Sequence, residues 1–171
     1  IEQELLTDYQ VVIVGVDEPM VREWIENYEI ISTDPDNQTD ARTLAVKIGM
    51  LKAVKDYDLK RVISFHSRVA GAKQFSDELV NVANLIEPAN RPEGTFLSDY
   101  VSGAMKAGDR KEKIDRLKVL EGYDRGILTN ARCLAEGVDV PSLDGVAFID
   151  PRGSQVEIIQ AVGRAIRKVR G

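Results

Sequence analysis

Unbroken apolar runs alternate with amphipathic helical segments, and this alternation most constrains what the chain can fold into. β-rich runs occupy 10–16, 61–65, 95–101, 126–129 and 145–149. Several are continuous hydrophobics, such as Val11-Val12-Ile13-Val14. A strand with one wet face would alternate apolar and polar residues, so these read as strands covered on both sides. Between them, 39–57 carries Leu44, Ile48, Leu51 and Val54 at three- and four-residue steps. Segment 68–86 does the same with Val69, Ala72, Phe75, Leu79, Val82 and Ile86. Segment 109–120 opens on Asp109-x-x-Glu112 and a last helix on Ser154-x-x-Glu157, the spacing of a helix capping box. The pattern predicts an α/β fold, a three-layer parallel sheet with helices on both faces. Segment 17–37, with Pro19, Trp24 and Pro35, reads as an irregular excursion, and 87–94, with Pro88 and Pro92, as a loop. Without an internal repeat, residues 1–171 read as a single domain.

Composition narrows the classes of function. At 171 residues and 43% hydrophobic, the chain can bury one sizeable core. A net charge of -5 argues against a surface that binds nucleic acid all over, but it permits a local basic patch. Cys133 is the one cysteine, which excludes an internal disulfide and suggests a reduced, cytoplasmic setting. No apolar run approaches the ~20 residues of a membrane span, so no membrane partner is expected. The chain starts at Ile1 rather than Met, and it is expected to be a piece of a longer protein.

The chemistry concentrates in the last third. On a helical wheel of 154–169, Gln160, Gly163, Arg164 and Arg167 fall in one narrow arc. Ile158, Ile159, Val162, Ala165, Ile166 and Val169 fall opposite. One face is thus apolar, and the other projects two guanidiniums past a glycine that lets a partner come close. Arginine stays charged and offers a planar fork of donors suited to phosphate oxygens. A solvated polar face is the plain alternative for two arginines at this spacing. Gly163 beside Arg164, Gln160 and the upstream Gly137-Val138-Asp139 weigh against it.

These residues carry a resemblance. Gln160-Ala-Val-Gly-Arg-Ala-Ile-Arg167 resembles the Q-x-x-G-R-x-x-R motif of superfamily-2 helicases, and Thr129 through Asp139 resembles the preceding motif with its Thr and Gly-Val-Asp. Val62-Ile-Ser-Phe-His-Ser-Arg68 is similar to the motif that opens the second half of these motors, and Val101-Ser-Gly-Ala-Met105 to the segment between. The similarity runs in order over 61–170 and is nearest to DEAD/DEAH-type and restriction-enzyme-type translocases. Such enzymes hold ATP and Mg2+ between two RecA-like domains. The first domain supplies a G-x-x-x-x-G-K-[ST] loop and an acidic tetrad, neither of which occurs here. The resemblance therefore implies the second, C-terminal RecA-like domain of an ATP-dependent helicase or translocase, with ATP and Mg2+ held mainly by the first domain of the same protein.

Carried over residue by residue, Arg164 and Arg167 would be the catalytic arginine fingers, a device that contributes ~10³–10⁵ in rate. Gln160 and Gly163 would face the γ-phosphate side, and Gly137 and Asp139 the ribose and the opposing domain. Thr129, or Asn130 or Arg132 in its place, would touch a nucleic-acid phosphate. The substitution is considered because Thr129 stands eight residues before Gly137, where the commoner spacing is six. Ser67, Arg68, Ser102 and Gly103 would grip the strand backbone, which positions without reading sequence. DNA rather than RNA is the expected partner, with nuclease or methyltransferase subunits as further ones. By itself the chain is expected to bind ATP feebly and to hydrolyse none. The rival class is a non-enzymatic adaptor or nucleic-acid-binding module on the same scaffold. A Rossmann-type enzyme is disfavoured because no G-x-G-x-x-G follows a strand.

Other conspicuous residues have plainer readings. His66, the only histidine, reads as a strand-end residue making an ordinary hydrogen bond. Cys133 reads as a small buried hydrophobe. Asp139 has no second acid at ligand spacing, so no metal site is expected. Lys106, Arg110, Lys111 and Lys113 are interleaved with acids and fit a solvated helix face as well as a nucleic-acid contact. Trp24 and Tyr28 suit a core edge better than a base-stacking platform.

Overall fold

The computed structural model describes residues 38–131 and 143–149, with side chains described from Thr43 onward. The strand expected at 10–16, the excursion at 17–37 and the arginine helix at 154–169 lie outside the described residues. The elements are α1 (Gln38–Asp56), β1 (Arg61–His66), α2 (Val69–Leu85), β2 (Phe96–Ser102), α3 (Ala107–Val119), β3 (Arg125–Ala131) and β4 (Gly145–Phe148). Each described element matches a periodicity in the sequence to within about two residues. The four strands form one sheet in the order β2-β3-β1-β4, and every described pairing is parallel.

Alternation along each strand divides the core in two. Val62 and Ile127 face one side, where they meet Leu44, Ile48, Leu51 and Val54 of α1 and Phe75, Leu79 and Val82 of α2. Ile63, Phe65, Leu97, Val101 and Leu128 face the other, against Ile114 and Leu117 of α3 and Leu120 beyond it. Helices thus cover both faces, which is why the strands carry so few polar residues. Two details differ from the sequence reading. Val69 is 39% exposed rather than core, because it stands at the rim where α2 begins. Helix α3 begins before Asp109: Lys106 is its N-cap, with no side-chain cap, and Asp109 sits in the first turn. Arg110 explains the shift, since its guanidinium donates to the carbonyls of Gly103 and Met105 and anchors that turn from within the helix.

The amino ends of the strands are stapled by charge. Arg125 donates to the carbonyls of Leu59 (2.7 Å) and Glu93 (2.8 Å) and pairs with Asp58 (2.6 Å). Asp144 accepts the backbone N–H groups of Lys60 and Arg61 at 2.6 and 3.0 Å. Arg61 donates in turn to the carbonyls of Leu117 and Lys118 at the end of α3. Asp124 accepts from the Thr95 N–H at 2.7 Å and its hydroxyl at 3.0 Å. These bonds fix the strand starts, and in open parallel sheets it is the opposite, carboxyl ends that generally bind ligands. Among the described residues no helix is long and apolar enough to cross a membrane.

Candidate nucleic-acid interface

Sheet register brings the candidate residues together. His66 at the end of β1 pairs across the sheet with Ala131 at the end of β3, and Ala131 pairs with Ser102 at the end of β2. The chain therefore leaves three neighbouring strands at one edge. Ser67–Arg68 follows β1 and Gly103 follows β2, and β3 ends beside them at Ala131. Ser67, Arg68 and Gly103 are exposed there, whereas Ser102 is 2% exposed. Thr129 and Asn130, which pair with Ser64 and Phe65, are 0% and 1% exposed.

The helices that follow β1 and β2 each start on a cation. Arg68 is the N-cap of α2 and Lys106 that of α3, both extended in backbone and neither giving a side-chain cap bond. Ser, Thr, Asp or Asn normally fills this position, accepting a first-turn N–H and complementing the positive end of the helix dipole. A cation there supplies no acceptor and has the same sign as the dipole. The cost is justified where an anion is to be drawn in, because first-turn N–H groups and a basic side chain then point at one place. Lys106 is the residue the sequence reading does not separate from its neighbours. Of that basic group, Lys111 pairs with Asp115 at 2.8 Å, Lys113 with Asp99 at 2.5 Å, and Arg110 binds carbonyls. Lys106 is exposed. A cation just ahead of a helix, where a capping acceptor would be usual, was the available signal.

Below the rim the polar groups are internally engaged. The Thr129 hydroxyl donates to the Ala72 carbonyl in the first turns of α2 at 2.8 Å, and it lies 3.3 Å from the Asp99 carbonyl. Ser98 of β2 donates to the Ser76 carbonyl at 2.7 Å. His66 is 5% exposed, with Nε2 3.1 Å from the Ser64 hydroxyl and its ring edge-on to Phe75, in keeping with an ordinary strand-end histidine. Lys47, 2% exposed, pairs with Glu78 at 2.5 Å. Burial is the largest influence on Glu78 and pushes its carboxyl up. The bonds from Lys47 and Gln74 and the Lys47 charge together outweigh it and hold the group below the ordinary glutamate range. Among the described residues no three His, Cys, Asp or Glu side chains converge to hold a metal ion. Arg164, Arg167, Gln160, Gly163, Gly137, Asp139, Arg132 and Cys133 lie outside the described residues.

Known proteins are similar to this chain in sequence and fold. The chain is 28% identical to an ATP-dependent Type ISP restriction-modification enzyme, LlaBIII, solved bound to DNA, with a TM-score of 0.73 over 99% of this chain and 12% of that one. The C-terminal part of the Fun30 ATPase domain is similar in fold alone, with 14% identity and a TM-score of 0.54 over 84% of this chain and 45% of that one. A protein of Methanocaldococcus jannaschii named as an ATP-dependent RNA helicase is 25% identical over 96 residues, 55% of this chain and 12% of its own length. A protein of Sulfolobus islandicus filamentous virus named as a helicase is 32% identical over 75 residues, 44% of this chain and 13% of its own. The chain thus spans about an eighth of the length of the restriction enzyme and of both named helicases. The family described as "Helicase conserved C-terminal domain" matches residues 47–169. The chain belongs to that family and is a superfamily-2 helicase C-terminal domain with the RecA-like α/β fold.

Proposed function

We propose that this chain is the second motor domain of an ATP-driven DNA helicase or translocase. The observation that carries the reading is the convergence of Ser67–Arg68, Ser102–Gly103 and Lys106 at one sheet edge, beside two helix starts that lack side-chain caps. In this reading the edge grips phosphates of a DNA strand without reading bases. The similarity to an enzyme solved bound to DNA supports DNA as the ligand. Where β3 ends, the chain continues toward Gly137 and Asp139 and then to the helix bearing Gln160, Gly163, Arg164 and Arg167.

Two guanidiniums, one side-chain amide and a glycine backbone form a donor set suited to phosphate oxygens. Arg164 and Arg167 would stabilise negative charge on the transferring phosphoryl group from across the domain gap, and Gln160 would orient groups at the γ-phosphate. Gly163 allows close approach, and Gly137 and Asp139 would face the ribose and the opposing domain. ATP supplies the free energy of phosphoryl transfer when bound, with Mg2+ held by the acids of the first domain. Domain closure would bring the arginines in, and reopening would advance the grip along the strand.

The test is DNA-stimulated ATP turnover by the full-length protein carrying Arg164→Ala or Arg167→Ala. Each substitution is expected to lower stimulated turnover by about 10³-fold or more while DNA affinity is kept. Normal stimulated turnover in both variants would overturn the assignment.

A further inference from the structure

Helix α2 packs on the sheet mainly through Ala72, Phe75, Leu79 and Val82. Apolar contact is non-directional, so it resists separation better than sliding. A slip of one residue moves a helix about 1.5 Å along its axis, more than a hydrogen bond tolerates. Two hydroxyls cross this interface from adjacent strands. Thr129 of β3 donates to the Ala72 carbonyl at 2.8 Å, and Ser98 of β2 donates to the Ser76 carbonyl at 2.7 Å. The two acceptors are four residues apart, one turn along the same helix, so the pair fixes both its height and its rotation. The upper bond continues to the rim, because the Ala72 N–H donates to the Arg68 carbonyl at 3.0 Å. Thr129 thus holds Ala72, and the Ala72 N–H in turn holds the backbone carbonyl of Arg68, the exposed residue on which the helix begins.

A hydroxyl at a 0%-exposed site is costly unless bonded, and Val fills the same space without that requirement. We infer that Thr129 is a positioning residue, with Ser98 as its companion. It holds the start of α2, and with it Ser67 and Arg68, at the height where they meet DNA phosphates, and it does not contact the strand itself. This rests on the proposed DNA grip, and the experiment separates the two ideas.

The measurement is the Kd of the full-length protein for a fluorescently labelled mixed-sequence DNA duplex, followed by anisotropy over a range of salt. Thermal melting checks folding. Arg68→Ala is expected to weaken binding about fivefold to tenfold and to reduce the slope of log K against log salt by about 1, the loss of one phosphate contact. Thr129→Val is expected to weaken binding about threefold to tenfold and Thr129→Ser to stay near wild type, since only the valine lacks the donor. In the Arg68→Ala background, Thr129→Val should add no more than about twofold. Ser98→Ala should reproduce part of the Thr129→Val loss, and it takes over the test if Thr129→Val fails to fold. If Arg68→Ala changes neither affinity nor salt slope, the DNA grip at this edge is wrong. If Arg68→Ala behaves as expected, three results overturn the positioning role alone: Thr129→Val leaves affinity unchanged, its effect multiplies with that of Arg68→Ala, or Thr129→Ser matches Thr129→Val.

Discussion

The Lys47–Glu78 pair predicts opposite consequences for its two halves. The Lys47 side chain is 3% exposed and Glu78's is 44%, and their charged atoms are 2.5 Å apart. At that separation two unit charges attract by about 7 kcal/mol at an effective dielectric near 20 and about 2 kcal/mol at that of water. Half-exposure of the carboxylate puts the pair toward the watery end, at about 2–3 kcal/mol. Glu78→Gln keeps an acceptor but leaves a buried ammonium uncompensated, so it should lower unfolding stability by about 2–3 kcal/mol in urea titration at neutral pH, with the m-value unchanged. Lys47→Met removes the charge from the buried side and refills nearly the same volume against Phe75. It should stay within about 1 kcal/mol of wild type or exceed it.

The sign with pH follows from Glu78, whose folded carboxyl is held below its ordinary range. Its contribution is present above the ordinary glutamate range and is lost as pH falls through the lower folded value. The gap between wild type and Glu78→Gln should therefore close in acid. The reasoning fails if Glu78→Gln is within about 0.5 kcal/mol of wild type at neutral pH, or if Lys47→Met loses as much as Glu78→Gln.

Two further perturbations test the stapled end of the sheet. Asp124 is held below the usual carboxylate range, first by the Thr95 backbone N–H and then by its hydroxyl. Asp124→Asn should lower the melting temperature at neutral pH, and the difference should vanish as pH falls below the ordinary aspartate range; a gap constant from neutral to acid would refute this. Gly94 has φ of +93°, and an added Cβ would stand 2.6 Å from the Asp124 Cβ and 2.7 Å from its Oδ2. Gly94→Ala should cost about 1–3 kcal/mol in chemical denaturation, and a loss below about 0.5 kcal/mol would contradict the conformation of that turn.

Much of the interface was legible because it follows the chain. Ser67 and Arg68 stand directly after an apolar run, and Ser102 and Gly103 after another, so strand ends could be marked from periodicity alone. The side chain at Thr129 could not be placed that way. It sits inside β3 on the side of α2, and only the packing of the helix decides whether a hydroxyl there points to solvent or to the Ala72 carbonyl. Its eight-residue distance from Gly137 was the available hint. The start of α3 was misplaced for a related reason. Asp109 and Glu112 have capping-box spacing, but the guanidinium of Arg110 reaches back to Met105 and Gly103 and sets the turn earlier.

What the sequence by itself determined is the alternation of elements and the division of each strand into two covered faces, because side-chain period is a local property of the backbone. What only the tertiary structure decided is the strand order β2-β3-β1-β4 and the alignment of His66, Ala131 and Ser102. That alignment joins positions distant in the chain. It comes from hydrogen bonds between strands and from helix packing across them, and neither leaves a periodic trace in the chain.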